Sequence, residues 1–416
     1  MISGQLLHYG LDSQMTTHSC WVEIRTRALE DNFRFLMNLA APHVELMAVV
    51  KDYAYGHSLK ICAPAVERAG ARWLGVARVD EGVRARALCP APGVLVMCGA
   101  LPGEGAAAVE HRLSVVAWQP WQLDELEKAA RATGGSVPVH LEIDTGMSRQ
   151  GVAPEEFNAE GGQAGELLAR FHPESPLRLE GVMTHLFAAD EADGRVTEAQ
   201  LALLEEILRK IMAAGVHPEW LNVGNSAALL SGKAARIAAL AARYGMKAML
   251  RPGLALYGLI PQFDSKFEPR ESPEPESLTA ARARLHPVLT WKTRVVGVRA
   301  IPAGAVVGYN GTFVATEPMR LALVAAGYVD GLDRRLGNRF SLLVRGQRAP
   351  LVGRISMDAA VLDVTEISGV EPGDEVVILG EQGGESITAF DHAEATGTIP
   401  WEVFTRIGAS APRIAV

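Results

Sequence analysis

In the stretch Leu46-Met47-Ala48-Val49-Val50-Lys51-Asp52-Tyr53-Ala54-Tyr55-Gly56-His57, five apolar residues run straight into a lysine. Such a run predicts a strand buried on both faces, the kind found in parallel sheets. Lys51 at its end has two readings. One is a surface lysine just past the strand, since lysine is mostly exposed. The other is an amine at the mouth of a core, able to form a Schiff base or to act as a base. Tyr55 stands four places on, in a Tyr-Gly-His turn whose phenol and backbone N–H groups suit a phosphate. A Schiff-base lysine next to a phosphate site is the pattern of pyridoxal 5′-phosphate (PLP) chemistry.

Outward from this stretch, short apolar runs alternate with helix-length segments. The expected strands are Leu46 to Val50, Trp73 to Ala77, Val94 to Cys98, Leu113 to Ala117, Val137 to Ile143, Leu179 to Thr184, Leu221 to Val223 and Ala248 to Leu250. Helices are expected at Ser58 to Ala69, Val79 to Ala87, Trp121 to Ala132, Pro154 to Arg170 and Val196 to Ala214. Upstream, Thr26 fits the N-cap of a helix over 27–36. Eight strand–helix repeats predict an α/β fold whose N-terminal part is a (β/α)8 TIM-type barrel. A doubly wound sheet is the alternative, but no glycine-rich dinucleotide fingerprint follows an early strand.

Composition sets the outer bounds. The 416 residues, 48% hydrophobic and 21% charged, suit a barrel with a second domain. A net charge of −8 and no basic run leave no nucleic-acid footprint. Cys20, Cys62, Cys89 and Cys98 contain no CxxC pair, so a reducing cytoplasm is expected rather than a disulfide framework. The N-terminus carries no basic-then-apolar signal pattern, and no apolar run approaches a membrane span. The expected organisation is a mobile tail at 1–19 and a barrel at 20–260. A linker or insertion rich in proline and charge follows at 261–284, then a C-terminal, mainly β domain at 285–416. In that domain β runs are expected at Val288 to Val298, Leu321 to Val324, Ser341 to Val344, Val361 to Val364 and Val376 to Leu379, and a short helix near Ala389 to Ala395.

Barrel chemistry sits just past the C-terminal ends of the strands. After the fifth strand, Glu142-Ile143-Asp144-Thr145-Gly146-Met147-Ser148-Arg149-Gln150-Gly151 places Arg149 on a Gly-bounded loop. It is either a carboxylate clamp or a surface arginine. His185 follows the sixth strand, where a lone histidine is more often a satisfied structural residue than a site residue. Ser226 opens the segment after the seventh, as an anion ligand at a helix N-terminus or as a plain cap. The eighth is followed by Arg251-Pro252-Gly253-Leu254-Ala255-Leu256-Tyr257-Gly258. In the β domain, Val306-Val307-Gly308-Tyr309 and Ser356-Met357-Asp358 carry the remaining candidates.

These segments resemble, in order, those of the alanine racemase family. The first is similar to AVVKANAYGHG and the arginine loop to KVDTGMGRLG. Thr184-His185-Leu186-Phe187 is similar to THFA, Asn225-Ser226-Ala227 to ANSA, and 251–258 matches RPGIALYG at all but one position. Gly308-Tyr309 stands at VSYG, Tyr328-Val329-Asp330-Gly331 at GYADG and Gly353 to Asp358 at GRVCMD. The resemblance implies a PLP-dependent racemase interconverting L- and D-alanine, supplying D-alanine for peptidoglycan. It implies two bases, Lys51 and Tyr309, on opposite faces of the substrate. Tyr309 would reach the barrel of another subunit, making an obligate homodimer with composite sites. Tyr55, Ser226 and the Gly253 and Leu254 N–H groups would hold phosphate. His185 would pack on the ring and Arg251 would face its nitrogen. Arg149, Met357 and Asp358 would serve the substrate side, with Arg149 also on the cofactor's phenolic oxygen.

Two departures stand out. Glu142 occupies the place of a carbamylated lysine, where it is expected to act as a permanent anion orienting Arg149. Trp401 replaces the tyrosine of TINYE and cannot donate to phosphate from the same place. The rivals are a broad-specificity or serine racemase of the same fold, a non-catalytic PLP-binding protein and a PLP decarboxylase. Arg251 and Tyr309 count against the last, and the β domain against the carrier.

Overall fold

The structure is a computed structural model that describes residues 18–40, 42, 44–158, 162–191, 194–263 and 275–416. Most of the expected tail, 1–17, and the centre of the expected linker, 264–274, lie outside the described residues. The chain divides into two compact units. One comprises 23–290, 397–407 and 413–416; the other comprises the chain up to Val22 with 291–396 and 408–412.

After β1 (Cys20–Ile24), the first unit is built on β2 (Val44–Val49), β3 (Trp73–Val76), β4 (Gly93–Val96), β5 (Ser114–Ala117), β6 (Val137–Glu142), β7 (Leu177–Met183), β8 (Trp220–Asn222) and β9 (Lys247–Leu250). The last eight close into a parallel barrel, sealed where Val44 pairs with Ala248 and Leu46 with Leu250. The barrel expectation is borne out, with every strand end within two residues of its predicted place. The reason is visible in the burial: β5 is buried throughout, and β2 everywhere except Val44. Met47, Leu95, Val116, Met183 and Met249 fill the interior. Trp73 and Trp220, each the first residue of its strand, pack against that cluster from the N-terminal end. Each fully buried side chain of this size contributes about 1.5–3 kcal/mol.

Three local expectations are corrected. Thr26 is the first residue of the helix Thr26–Leu39 rather than its cap, because its hydroxyl donates to the Val416 carbonyl at 3.2 Å. The single helix expected over 154–170 is a 3-10 turn, Pro154–Phe157, and a helix, Gln163–Ala169, separated by an extended Gly162. The end of the expected linker is the helix Glu276–Arg284, which buries Leu278 and Ala281 one turn apart.

The second unit is antiparallel. It contains β10 (Leu289–Ile301), β11 (Val306–Val307), β12 (Phe313–Val314), β13 (Met319–Val324), β14 (Ser341–Val344), β15 (Gln347–Pro350), β16 (Ala360–Asp363), β17 (Glu375–Gln382) and β18 (Glu385–Ile387). Its main sheet runs β15–β14–β17–β10, and β13 links β10 to β16. The β11–β12 ribbon carries Tyr309 at its tip. The helix Pro400–Arg406, with Trp401 in its first turn, groups with the barrel unit.

Candidate active site

The turn that carries Lys51 is strained. Asp52, Tyr53, Ala54 and Tyr55 have φ of 52°, 55°, 58° and 52°, followed by Gly56 at 77°. Left-handed backbone costs a non-glycine residue about 1–2 kcal/mol, and residues normally visit it singly. Four in succession need outside support. The buried Glu81 carboxylate accepts the Asp52 N–H at 2.7 Å and the Ala77 N–H at 3.0 Å. Arg413 Nε donates to the Gly56 carbonyl at 2.9 Å, and a Cβ on Gly56 would stand 2.4 Å from the Phe404 carbonyl oxygen. The His57 ring lies 4.4 Å from that of Tyr257 and 4.9 Å from that of Phe404. Burial pushes His57 down to about 4, so it is neutral and its Nδ1–H donates to the Tyr55 carbonyl at 2.9 Å. Tyr257 donates its hydroxyl to the Val49 carbonyl at 3.0 Å, pinning the end of β2. Strain held this firmly marks functional sites. It delivers Lys51 to the barrel mouth, where it makes no ion pair among the described residues.

Across the mouth, Arg251 is 5% exposed and its two terminal nitrogens are committed. One donates to the Asn222 carbonyl at 2.8 Å and to Asn222 Oδ1 at 2.6 Å. The other donates to the Thr184 carbonyl at 2.9 Å and to His185 Nδ1 at 3.2 Å. Burial, with Arg149 nearby and against the pull of Glu142, lowers Arg251 to about 10, which still leaves it charged at neutral pH. Burial and the cations Arg251, Arg149 and Lys51 lower His185 to about 3. His185 is therefore neutral, accepts at Nδ1 and keeps its proton on Nε2.

Tyr55, Ser226 and Gly253 meet on a third side. Ser226 Oγ accepts the N–H of Gly253 at 3.0 Å and of Ala255 at 3.2 Å. Both its acceptor positions are used, which leaves its own proton to give. A Cβ on Gly253 would stand 2.4 Å from the Tyr55 hydroxyl, so only glycine lets that phenol in. The Gly253 N–H, assigned to phosphate from the sequence, points to Ser226 instead. Burial, with Asp52 nearby, raises the Tyr55 phenol well above its ordinary value, so it stays protonated.

The loop after β6 carries Arg149. Asp144 Oδ1 accepts the N–H of Gly146 at 2.9 Å and of Ser148 at 3.1 Å. Glu142 is 2% exposed. Its carboxylate is hydrogen-bonded by Gln150, and among the described residues it makes no ion pair with Arg149. Burial raises it to about 7, against the lowering by Gln150, Arg251 and Arg149. Glu142, expected as a permanent anion orienting Arg149, has the Gln150 amide as its partner instead, and burial favours its protonated form.

Lys51, Tyr55, Arg149, Gln150, His185, Ser226 and Arg251 line one cavity of about 440 Å³, together with Cys98, Met147, Leu254 and Trp401. The family model described as "Alanine racemase, N-terminal domain" matches residues 24–261, and "Alanine racemase, C-terminal domain" matches 288–415. The chain belongs to the alanine racemase family. The alanine racemase of Symbiobacterium thermophilum is 37% identical over 394 residues, 94% of this chain and 96% of that one. The structure of the alanine racemase from D-cycloserine-producing Streptomyces lavendulae is 34% identical with a TM-score of 0.83, covering 96% of this chain and 98% of that one. The Bacillus anthracis alanine racemase with bound L-Ala-P is 30% identical, also with a TM-score of 0.83, over 97% and 96%.

In this family member the candidates fall into two groups. Lys51, Tyr55, Arg149, His185, Ser226, Arg251, Gly253 and Leu254 line the barrel cavity. Tyr309, 65% exposed, and the exposed Met357 and Asp358 lie on the β unit and line no part of it. There, Val329 N–H donates to the Met357 carbonyl at 3.0 Å, and a Cβ on Gly308 would stand 3.0 Å from Arg354 N. The sequence reading missed Glu81, Gln150, Asn222 and Tyr257. Tyr257 alone carried a signal, as the tyrosine of the RPGLALYG segment.

Proposed function

We propose that the chain racemises alanine with PLP carried on Lys51, working in the cytoplasm as a homodimer that supplies D-alanine for peptidoglycan. The observation that carries this reading is Lys51 on a strained turn, in one cavity with the Arg251–His185 pair. The residues present fit the cofactor. Lys51, Arg149 and Arg251 give the cavity the positive charge that a phosphate and a carboxylate need. Ser226 has a proton left to donate, and the missing Cβ of Gly253 keeps room beside the Tyr55 hydroxyl. Bound there, PLP supplies the electron sink that makes the Cα proton of an amino acid removable.

The chain's own groups set the outcome. Four of the five N–H donors of Arg251 are spent on protein acceptors, and Nε–H remains for the ring nitrogen. A charged donor there would meet that nitrogen as an acceptor and disfavour its protonation, so Arg251 would temper the sink and favour return of the proton to Cα over transamination. Lys51 Nζ moves the Cα proton on one face. The Tyr309 phenol of a second copy moves it on the other.

Exposure supports the second copy. A base with 65% of its surface in water works in a dry site only when covered. The same unit exposes Val306 and Leu323 on the wall of a cavity of about 320 Å³, and Val296 and Val314 elsewhere on its surface, apolar groups suited to burial against another copy. None of the four cysteines is in a disulfide, which suits a reducing compartment. Among the described residues no helix is long and apolar enough to cross a membrane.

The test is chiral analysis of L-alanine, L-serine and L-lysine, each incubated with the purified chain and PLP. Racemisation confined mainly to alanine is expected. Comparable turnover of serine or lysine replaces the reading with a broad-specificity racemase, for which Trp401 on the cavity wall is the relevant feature. No racemisation of any of them overturns it.

A further inference from the structure

Among the described residues, Arg149 has no carboxylate within ion-pair distance, so charge pairing does not hold it in place. The loop around it is fixed by other means. Asp144 N–H donates to the Val152 carbonyl at 3.0 Å and Val152 N–H to the Glu142 carbonyl at 2.8 Å, closing its base. Gly151, at φ +115°, leaves no slack: a Cβ there would stand 2.5 Å from Asp144 N. Two side chains of this loop reach out of it: Thr145, whose hydroxyl lies 2.8 Å from that of Thr184, and Gln150, the direct neighbour of Arg149. Gln150 Nε2 donates to the Met97 carbonyl at 3.0 Å, just past β4, and to the Glu142 carboxylate at the end of β6. Both of its protons are spent.

We propose that Gln150 positions Arg149, its amide clasped between Glu142 and the Met97 carbonyl, with Glu142 acting as a hydrogen-bond acceptor and not as the counter-ion of Arg149. This rests on the reading above, in which Arg149 holds the substrate carboxylate and the cofactor's phenolic oxygen. The charges around Glu142 agree. Arg149 and Asp144 face it from its own loop, His185 from the end of β7, Arg251 from the end of β9 and Cys98 from the end of β4. In that company burial raises Glu142 to about 7, which favours its protonated form relative to an ordinary carboxyl. Its carboxyl accepts a hydrogen bond in either state, which a counter-ion role would not tolerate.

Three variants separate the two roles. Gln150→Leu removes the clasp at constant size, Glu142→Leu removes the acceptor, and Glu142→Gln removes only the charge. Losing a hydrogen bond to a charged group changes binding by roughly 10–100-fold. Q150L and E142L are therefore expected to raise KM for L-alanine by about that factor, with a smaller fall in kcat. E142Q is expected to do several-fold less damage than Q150L. A second readout needs no substrate: the visible absorbance of the lysine-bound cofactor, followed across neutral pH. Q150L is expected to shift its pH course as Arg149 leaves the phenolic oxygen.

A Q150L protein with the parent's KM and absorbance overturns the proposal, as does an E142Q protein as impaired as Q150L. If Q150L does not fold, E142L and E142Q decide, because equal damage in both restores the counter-ion. Failure of the parent to racemise alanine removes the functional reading instead, and the absorbance series still tests the clasp.

Discussion

Two glutamates on neighbouring barrel strands are held in opposite ways. Glu180, on β7 in the N-terminal half of the barrel, is 8% exposed. Ser114 Oγ donates to it at 2.5 Å, Arg178 at 3.1 Å, and His140 Nε2 lies 3.4 Å away. Burial alone would raise it, but these partners outweigh burial and hold it below the ordinary carboxylate range. Glu142, at the C-terminal end of β6, is as deeply buried, has one amide partner and sits at about 7. Toward the N-terminal end of the barrel, Glu180 gathers enough partners to stay charged, which serves stability. At the mouth, Glu142 has a single amide partner and, among the described residues, Lys51 makes no ion pair; this end serves chemistry.

The largest test of that contrast is Lys51→Ala. On the proposed function, in which Lys51 carries the cofactor and acts as a base, its loss is expected to lower racemisation by about 10⁴-fold or more. The melting temperature of the cofactor-free protein is expected to stay near the parent's. A large loss of stability would mean that the mouth is structural after all. Tyr309→Phe is expected to lower the rate by about 10²–10⁴-fold. The loss should be unequal at Cα for the two enantiomers when exchange is followed separately.

Paired pH titrations of stability come next. Glu142 has a raised value when folded, so the folded state binds its proton more tightly than the unfolded chain. Its contribution is favourable at low pH and is lost as pH rises from about 4.5 towards about 7, a cost of up to about 3 kcal/mol. Glu142→Gln is therefore expected to gain on the parent as pH rises through that window. Glu180 is lowered when folded, so its stabilisation is present above the ordinary carboxylate value and fades as pH falls through the folded one. Glu180→Gln is expected to cost most near neutrality and least in acid. Urea unfolding at several pH values reads both, and parallel curves for the two variants would erase the distinction. The smallest effect is Gly181→Ala, whose Cβ would stand 2.7 Å from the His140 ring. It is expected to cost about 1–3 kcal/mol by overpacking, with per-site activity retained.

Much of this was legible in the chain itself. Strands such as Leu46 to Val50 must be apolar on both faces, and that leaves a mark independent of context. Lys51, Arg149, His185, Ser226 and Arg251 were found because they follow such runs and fall in segments similar to one family. What could not be read depends on tertiary partners. Nothing in Asp52-Tyr53-Ala54-Tyr55 announces left-handed backbone, because the support comes from Glu81, Phe404 and Arg413, far away in sequence. Gln150 looks like a loop residue until β4 and β6 bring Met97 and Glu142 to its amide. Thr26 reads as a cap in sequence because its true acceptor, the Val416 carbonyl, lies 390 positions away.

The central claim is that two bases work on opposite faces of the substrate, Lys51 at the mouth of one barrel and Tyr309 from a second copy. Its most direct test is the early time course of L-alanine racemisation in D2O, with deuterium at Cα followed by NMR in each enantiomer separately. The account predicts D-alanine that is deuterated from the first turnovers while the remaining L-alanine stays protiated. Protium retained in the D-alanine would mean that a single base carries the proton across, and would contradict the account.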